Sequence, residues 1–238
     1  MVRTNLEFAQ SSSGRPKTML VTSSSPREGK STTASNLAAV LAQTGRSVIL
    51  VDADLRRPTL HQIFGLPNKS GLSTLFVMDG SAAVEGLLRV TEVEGLRLLT
   101  SGPVPPNPAE LLSSRRMGEL IDALTREADV VIFDSPPLLG VSDASILASR
   151  LDGTILVVDS NRTRAGALKH AVELLRRGHA TVWGVILNKL RAFEGSQYYY
   201  DSSYRAYTEP VPERNVNGTS RNGAKDLPGV LPRGGSDT

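Results

Sequence analysis

The chain has 238 residues, of which 39% are hydrophobic and 21% charged, with a formal net charge of +3 and no cysteine. That is enough apolar sequence for one globular α/β domain with a sizeable core, and it excludes a disulfide framework and thiol chemistry. No apolar run reaches membrane-spanning length and the start lacks a charged-then-apolar secretion signal, so a cytoplasmic protein is expected.

Residues 1–17, MVRTNLEFAQSSSGRPK, suggest a helical turn around Leu6 and Phe8 that dissolves into Ser and Gly: a helix fragment and a linker. The domain proper is expected over 18–190. Met19 to Val21 form a short apolar run that breaks into Thr and Ser, as a buried strand entering a loop does. From Thr32 onward Ala34, Leu37, Ala38 and Leu41 recur at helical spacing. Between strand and helix lies Ser25-Pro26-Arg27-Glu28-Gly29-Lys30-Ser31-Thr32. At such a helix start the unpaired N–H groups and the dipole favour a phosphate, Lys30 reaches its β- and γ-positions, and the Ser31 hydroxyl suits Mg²⁺. Ser24 stands where the phosphate-loop pattern has its first Gly.

Gly45 supplies a helix stop, and Ser47 to Val51 read as a second strand ending in Asp52-Ala53-Asp54-Leu55-Arg56-Arg57-Pro58. Two carboxylates at the C-terminal end of a parallel strand occupy the ligand position of a doubly wound sheet. Alternate residues share a direction, so Asp52 and Asp54 are candidates to face one metal ion or one nucleophile; as loop caps they would face neither. Pro58 to Leu88 are expected as short helical pieces punctuated by Gly65, Gly71, Gly80 and Gly86, and Leu96 to Leu99 as a third strand. Asn107, Pro108 and Glu110 then suit the cap, first and third positions of a helix running to about Arg126.

Asp129 to Phe133 form a fourth strand closed by Asp134, the form of a Walker B carboxylate that meets Mg²⁺ and water beyond the strand tip. The alternation continues with a helix near 143–150, a strand 154–158, a helix 164–177 and a strand 182–187. This pattern predicts a mostly parallel, doubly wound α/β sheet with helices on both faces. Asn188 at the last strand's end is placed to meet an adenine, or to cap.

Past Lys189 the composition changes. All five tyrosines, Tyr198, Tyr199, Tyr200, Tyr204 and Tyr207, fall among Gln, Ser, Asp and Arg, and beyond them the chain has no periodicity. Residues 191–238 are expected as a disordered tail whose phenols are base-stacking rings, adhesive groups or chemical acceptors. The tail holds six basic and six acidic side chains, so the surplus charge is spread over the body and gives little reason to expect a nucleic-acid partner.

Together TSSSPREGKST, VILVDADLRRP, GPVPPNPAELL, VVIFDSPP and the tyrosine cluster resemble the cytoplasmic domain of bacterial tyrosine kinases of capsular and exopolysaccharide synthesis, over roughly residues 3–207. The resemblance implies a P-loop NTPase fold of the MinD/ParA kind, ATP and Mg²⁺ as cofactors, Lys30 and Ser31 in Walker A, Asp52 and Asp54 in a second carboxylate motif, Asp134 in Walker B, and autophosphorylation of the tail tyrosines. Ser31, Asp52 and Asp134 would support the metal, and Asp52 or Asp54 would take the phenol proton. It also implies a homo-oligomeric ring, a membrane-anchored activator or an upstream transmembrane segment of the polysaccharide co-polymerase type, polysaccharide-synthesis enzymes as substrates, and residence at the inner face of the cell membrane.

Two departures stand out. Arg27 occupies a position where the family has Gly, so a left-handed backbone there would be strained. The family's E-x-x-R-x-x-R helix is reached here only at Arg3, which implies trimming or a start further upstream. Two other readings are open: a MinD/ParA-type positioning ATPase, against which stand Ser25 in place of a Lys and the tyrosine tail, and a catalytically weak ATP-binding scaffold of an export complex.

Overall fold

The computed structural model describes residues 17–76 and 83–190. The N-terminal helix fragment, Gly80 and the tyrosine tail lie outside them. Seven strands form one sheet: β1 (Thr18–Ser23), β2 (Val48–Asp52), β3 (Arg89–Val90), β4 (Leu96–Leu99), β5 (Val130–Asp134), β6 (Gly153–Asp159) and β7 (Val182–Asn188). Their order is β3-β4-β2-β5-β1-β6-β7, and all neighbours are parallel except β3 and β4. The doubly wound parallel sheet expected from the alternation is therefore present.

Strand alternation explains the two layers. Met19 and Val21 turn to one face and pack with Ala34, Leu37, Ala38 and Leu41 of the helix Lys30–Ala42. Leu20 turns to the other, among Met117, Leu120 and Leu124 of the helix Arg115–Glu127 and Leu147 of the helix Asp143–Ala148. β1 is central and buried at all six positions, which is why Met19 to Val21 are apolar in succession and do not alternate with polar residues.

Several local expectations change. The helix expected from Pro108 to about Arg126 is two, Pro108–Ser113 and Arg115–Glu127. Ser114 breaks it with extended backbone (ψ 160°) and caps the second helix by accepting from Met117 N. Asn107 is at the cap position with Pro108 behind it, but its side chain bonds Glu110 and not the helix backbone. Gly86 lies inside the helix Ala83–Leu87. β3, two residues long, carries no periodicity that the sequence could display. Among the described residues no helix is long and apolar enough to cross a membrane.

Candidate active site

The sheet register brings the predicted acids together. Asp52 ends β2 and Asp134 ends β5, and the two are direct partners across the parallel pair. β1 runs on the other side of β5, with Val21 paired to Asp134, and delivers the loop Ser24–Gly29 to the same edge. Lys30, first residue of the following helix, places Nζ 2.9 Å from Asp54 Oδ2 and 3.7 Å from Asp134 Oδ1, and donates to Ser31 Oγ at 3.0 Å. Pro26, Arg27, Gly29, Lys30, Ser31, Thr32 and Asp54 open onto one cavity of about 700 Å³.

Burial sets the electrostatics. Asp134 is fully buried with no close hydrogen bond to either oxygen, Lys30 and the Ser31 hydroxyl being its polar neighbours; burial raises its carboxyl to about 6, although Lys30 and Ser31 work the other way. Asp52 is raised to about 7, by burial first and the neighbouring Asp134 second. Burial opposes the Lys30 charge as well, but Asp134, Asp54 and Asp52 outweigh it and lift Lys30 above the ordinary lysine value.

The two acids of the second motif are not equivalent. Asp54 opens on the cavity, with Oδ1 accepting from Arg57 N at 3.0 Å and Oδ2 paired to Lys30. Asp52 lies beneath it, fully buried, its Oδ2 accepting from Thr59 N at 3.1 Å and Leu60 N at 3.0 Å and its Oδ1 unpartnered. The open oxygens of Asp134 and Asp52 and the Ser31 hydroxyl are a donor set that fits Mg²⁺, a hard cation. No group of three or more His, Asp or Glu among the described residues would hold a metal alone. An ion here would take its remaining ligands from phosphate and water, as Mg²⁺ usually does.

The loop is held from behind by residues far along the chain. Gly29 has φ +96°, and a Cβ there would come within 2.1 Å of Asn188 Nδ2, so the position admits glycine alone on two grounds. Asn188 donates from Nδ2 to Glu28 O at 3.0 Å and accepts from Lys189 N at 2.8 Å, so the residue expected at the adenine has its amide engaged with the loop. Lys189 Nζ donates to Arg27 O at 2.6 Å and pairs with Asp159 Oδ2 at 2.9 Å. Arg27 has φ +66°, the left-handed backbone expected of a residue standing in a glycine position.

Glu28 faces inward. Its buried carboxylate accepts from the Ser24 hydroxyl, with both oxygens at 2.9 Å, from Ser25 N at 2.8 Å and from the Thr163 hydroxyl. Ser24, where the pattern has Gly, is thus a donor that ties the loop to its own acid. On that side a smaller cavity of about 280 Å³ is lined by Ser25, Glu28, Asp159, Arg162 and Arg164. Sequence reasoning missed three supports: Lys189, Thr163, and the two-pronged pair in which Arg56 donates from Nε and Nη2 to Asp143 at 2.8 and 3.0 Å. The first two have no local signal, but Arg56 could have been suspected from its place beside the second acid motif. All five tyrosines lie outside the described residues.

A family model described as "ParA: NUBPL iron-transfer P-loop NTPase" matches residues 16–199. Tyrosine-protein kinase YwqD of Bacillus subtilis is 45% identical over 199 residues, 84% of this chain and 83% of that protein. Putative tyrosine-protein kinase EpsB of Ralstonia nicotianae is 38% identical over 206 residues, 87% of this chain but 27% of its own length. Among solved structures, the kinase domain of Escherichia coli tyrosine kinase ETK superposes with a TM-score of 0.76 at 33% identity, covering 81% of this chain and 74% of that one. The septum site-determining protein MinD of Pyrococcus horikoshii, complexed with Mg-ADP, gives 0.61 at 23% identity, covering 75% and 72%, a likeness of fold alone.

Proposed function

Since the chain belongs to the bacterial tyrosine-protein kinases, built on the ParA-type P-loop NTPase fold, we propose that it transfers the γ-phosphoryl group of Mg-ATP to tyrosine hydroxyls, with Tyr198, Tyr199, Tyr200, Tyr204 and Tyr207 among the acceptors. The observation that carries this is Lys30 at a helix start between Asp54 and Asp134, at one wall of an open cavity.

The residues divide the work. Backbone N–H groups from Gly29 to Thr32 and the Lys30 ammonium bind and orient the phosphates, while Ser31, Asp134 and Asp52 hold Mg²⁺. Held there, Mg²⁺ would supply charge neutralisation on the phosphates. Asp54 takes the phenol proton, because it opens on the cavity while Asp52 is sealed beneath. The bond from the γ-phosphorus to the ADP oxygen breaks as the bond to the phenol oxygen forms, and ADP leaves with the electron pair. Asn188 and Lys189 hold the loop in shape.

The role follows from the relatives. YwqD and EpsB are named tyrosine-protein kinases, and a further relative, 35% identical, is named for the cps region of Klebsiella pneumoniae, so the reading extends to control of capsular or exopolysaccharide synthesis. EpsB is much longer than this chain, which supports a partner or segment at the membrane and a site of action on its inner face. A ring of copies and substrates among polysaccharide-synthesis enzymes complete the proposal. The rival, a ParA-type ATPase whose acceptor is water, rests on the family model.

Incubation with Mg-ATP followed by phosphotyrosine detection and phosphate release separates the two. Phosphotyrosine that requires Lys30, and that falls further in Asp54→Asn than in Asp52→Asn, is the expected result. Phosphate release without phosphotyrosine would overturn the kinase reading in favour of the ATPase.

A further inference from the structure

The cavity beside Lys30 has an apolar wall that nucleotide chemistry does not use. Ile63, the last residue of the helix Leu60–Ile63, lines it at 48% exposure, with Pro136, Pro137 and Val141. Triphosphate belongs to the loop and the helix start, and Mg²⁺ to the acids beneath. Asp159 lines the smaller cavity with Ser25 and Glu28, whereas Asp54 and Lys30 line the larger one. The apolar wall thus shares a cavity with Asp54 and Lys30, where the proposed reaction brings the γ-phosphoryl group to its acceptor.

We propose that Ile63, with Pro137 and Val141, seats the phenol ring of the acceptor and so selects tyrosine over serine and threonine. This rests on the kinase reading and adds to it the residues that choose the substrate. A phenol carries its oxygen a full ring beyond the Cβ, whereas a serine hydroxyl is attached there. An acceptor backbone kept at the cavity mouth thus reaches Asp54 only with the longer side chain. The ring also gains by leaving water against aliphatic carbon, a gain that serine lacks. Two adjacent prolines in the same lining present a fixed surface, since their φ angles are locked. Arg56, held on Asp143, and Arg57 leave cationic groups along the same cavity for the peptide around the ring.

The test uses two forms of the chain, one as enzyme with all five tail tyrosines changed to Phe, the other as acceptor with Lys30→Met and its tyrosines kept. The rate of acceptor labelling is measured against acceptor concentration for the enzyme with Ile63, Ile63→Ser, Ile63→Leu and Val141→Ser, and Mg-ATP affinity by titration of a fluorescent ATP analogue. Ile63→Ser and Val141→Ser are expected to raise the half-saturating acceptor concentration on the order of tenfold, with ATP affinity unchanged and Ile63→Leu near the starting value. Ile63 is half exposed, so its replacement leaves the core intact. An unchanged acceptor dependence in both serine variants, or a matching loss of ATP affinity, would overturn the ring seat while the kinase reading stood. No labelling by the Ile63 enzyme, together with no phosphotyrosine on the parent chain incubated alone with Mg-ATP, would overturn both.

Discussion

The Lys30 ammonium and the Asp54 carboxylate stand 2.9 Å apart, their side chains 13% and 5% exposed, inside the cavity that is to receive the triphosphate. In the proposed reading Asp54 is the counter-ion of the phosphate-binding lysine. Phosphates bound there would compete with Asp54 for Lys30 and free the oxygen proposed to take the phenol proton.

Lys30→Met is expected to lower tyrosine phosphorylation by about 10²–10³-fold, the range found when a donor to transition-state charge is removed. A phosphotyrosine time course reads the loss, and circular dichroism shows whether the sheet persists. Near-normal labelling in a folded variant would refute the assigned role.

Asp52 sets a pH dependence of stability. Its folded carboxyl is raised to about 7 and that of Asp134 to about 6, both above the unfolded value of about 4. The folded state therefore holds these protons more tightly, and stability falls as pH rises from about 4 to about 7. Asp52→Asn removes one of the two costs. In EDTA its Tm should exceed the parent's at pH 8 and match it at pH 4, with about 2–4 °C for each kcal/mol recovered. A Tm difference that did not change with pH would contradict the assignment.

Arg27→Gly tests the strained loop. A left-handed backbone costs a non-glycine residue roughly 1–2 kcal/mol, so the variant should melt several degrees higher. If the exposed guanidinium also binds phosphate, Mg-ATP titration will show weaker affinity in the same protein; if it does not, affinity will hold or tighten.

Much of this was legible because apolar runs and the phosphate-loop spacing are local. β1, β2, β5 and β6 appear as runs of buried residues and β7 as an apolar run at the half-exposed sheet edge, and the acids at 52 and 134 mark strand ends whose parallel pairing makes them neighbours. Even the left-handed φ at Arg27 follows from its place in the motif. What could not be read is tertiary. Glu28 looks like a surface acid near a helix start, yet it is buried against Ser24 and Thr163. Lys189 looks like a charge ending a strand, yet it holds the carbonyl of Arg27. Nor did the spacing rank Asp52 against Asp54, since alternation places both on one side and only the turn at Thr59 and Leu60 shows which is sealed.

Lys189→Met should loosen the loop without touching the acids. Losing the bonds to Arg27 O and Asp159 is expected to weaken Mg-ATP by roughly tenfold, the equivalent of about one strong charged hydrogen bond. The maximal rate at saturating ATP should change less than the affinity. Equal effects on both would place Lys189 in the chemical step.

The contact between Gly29 and Asn188 couples two positions far apart in the chain. A methyl group at 29 is opposed twice, by its own φ of +96° and by an amide 2.1 Å away, and only the second objection disappears if 188 shrinks first. Gly29→Ala should therefore be less damaging in an Asn188→Gly background than alone, a dependence on background that the free energies of the two single changes would not reveal. Shrinking 188 releases the carbonyl of Glu28 and leaves the left-handed backbone at 29 as it was, so the double variant should still fall short of the parent.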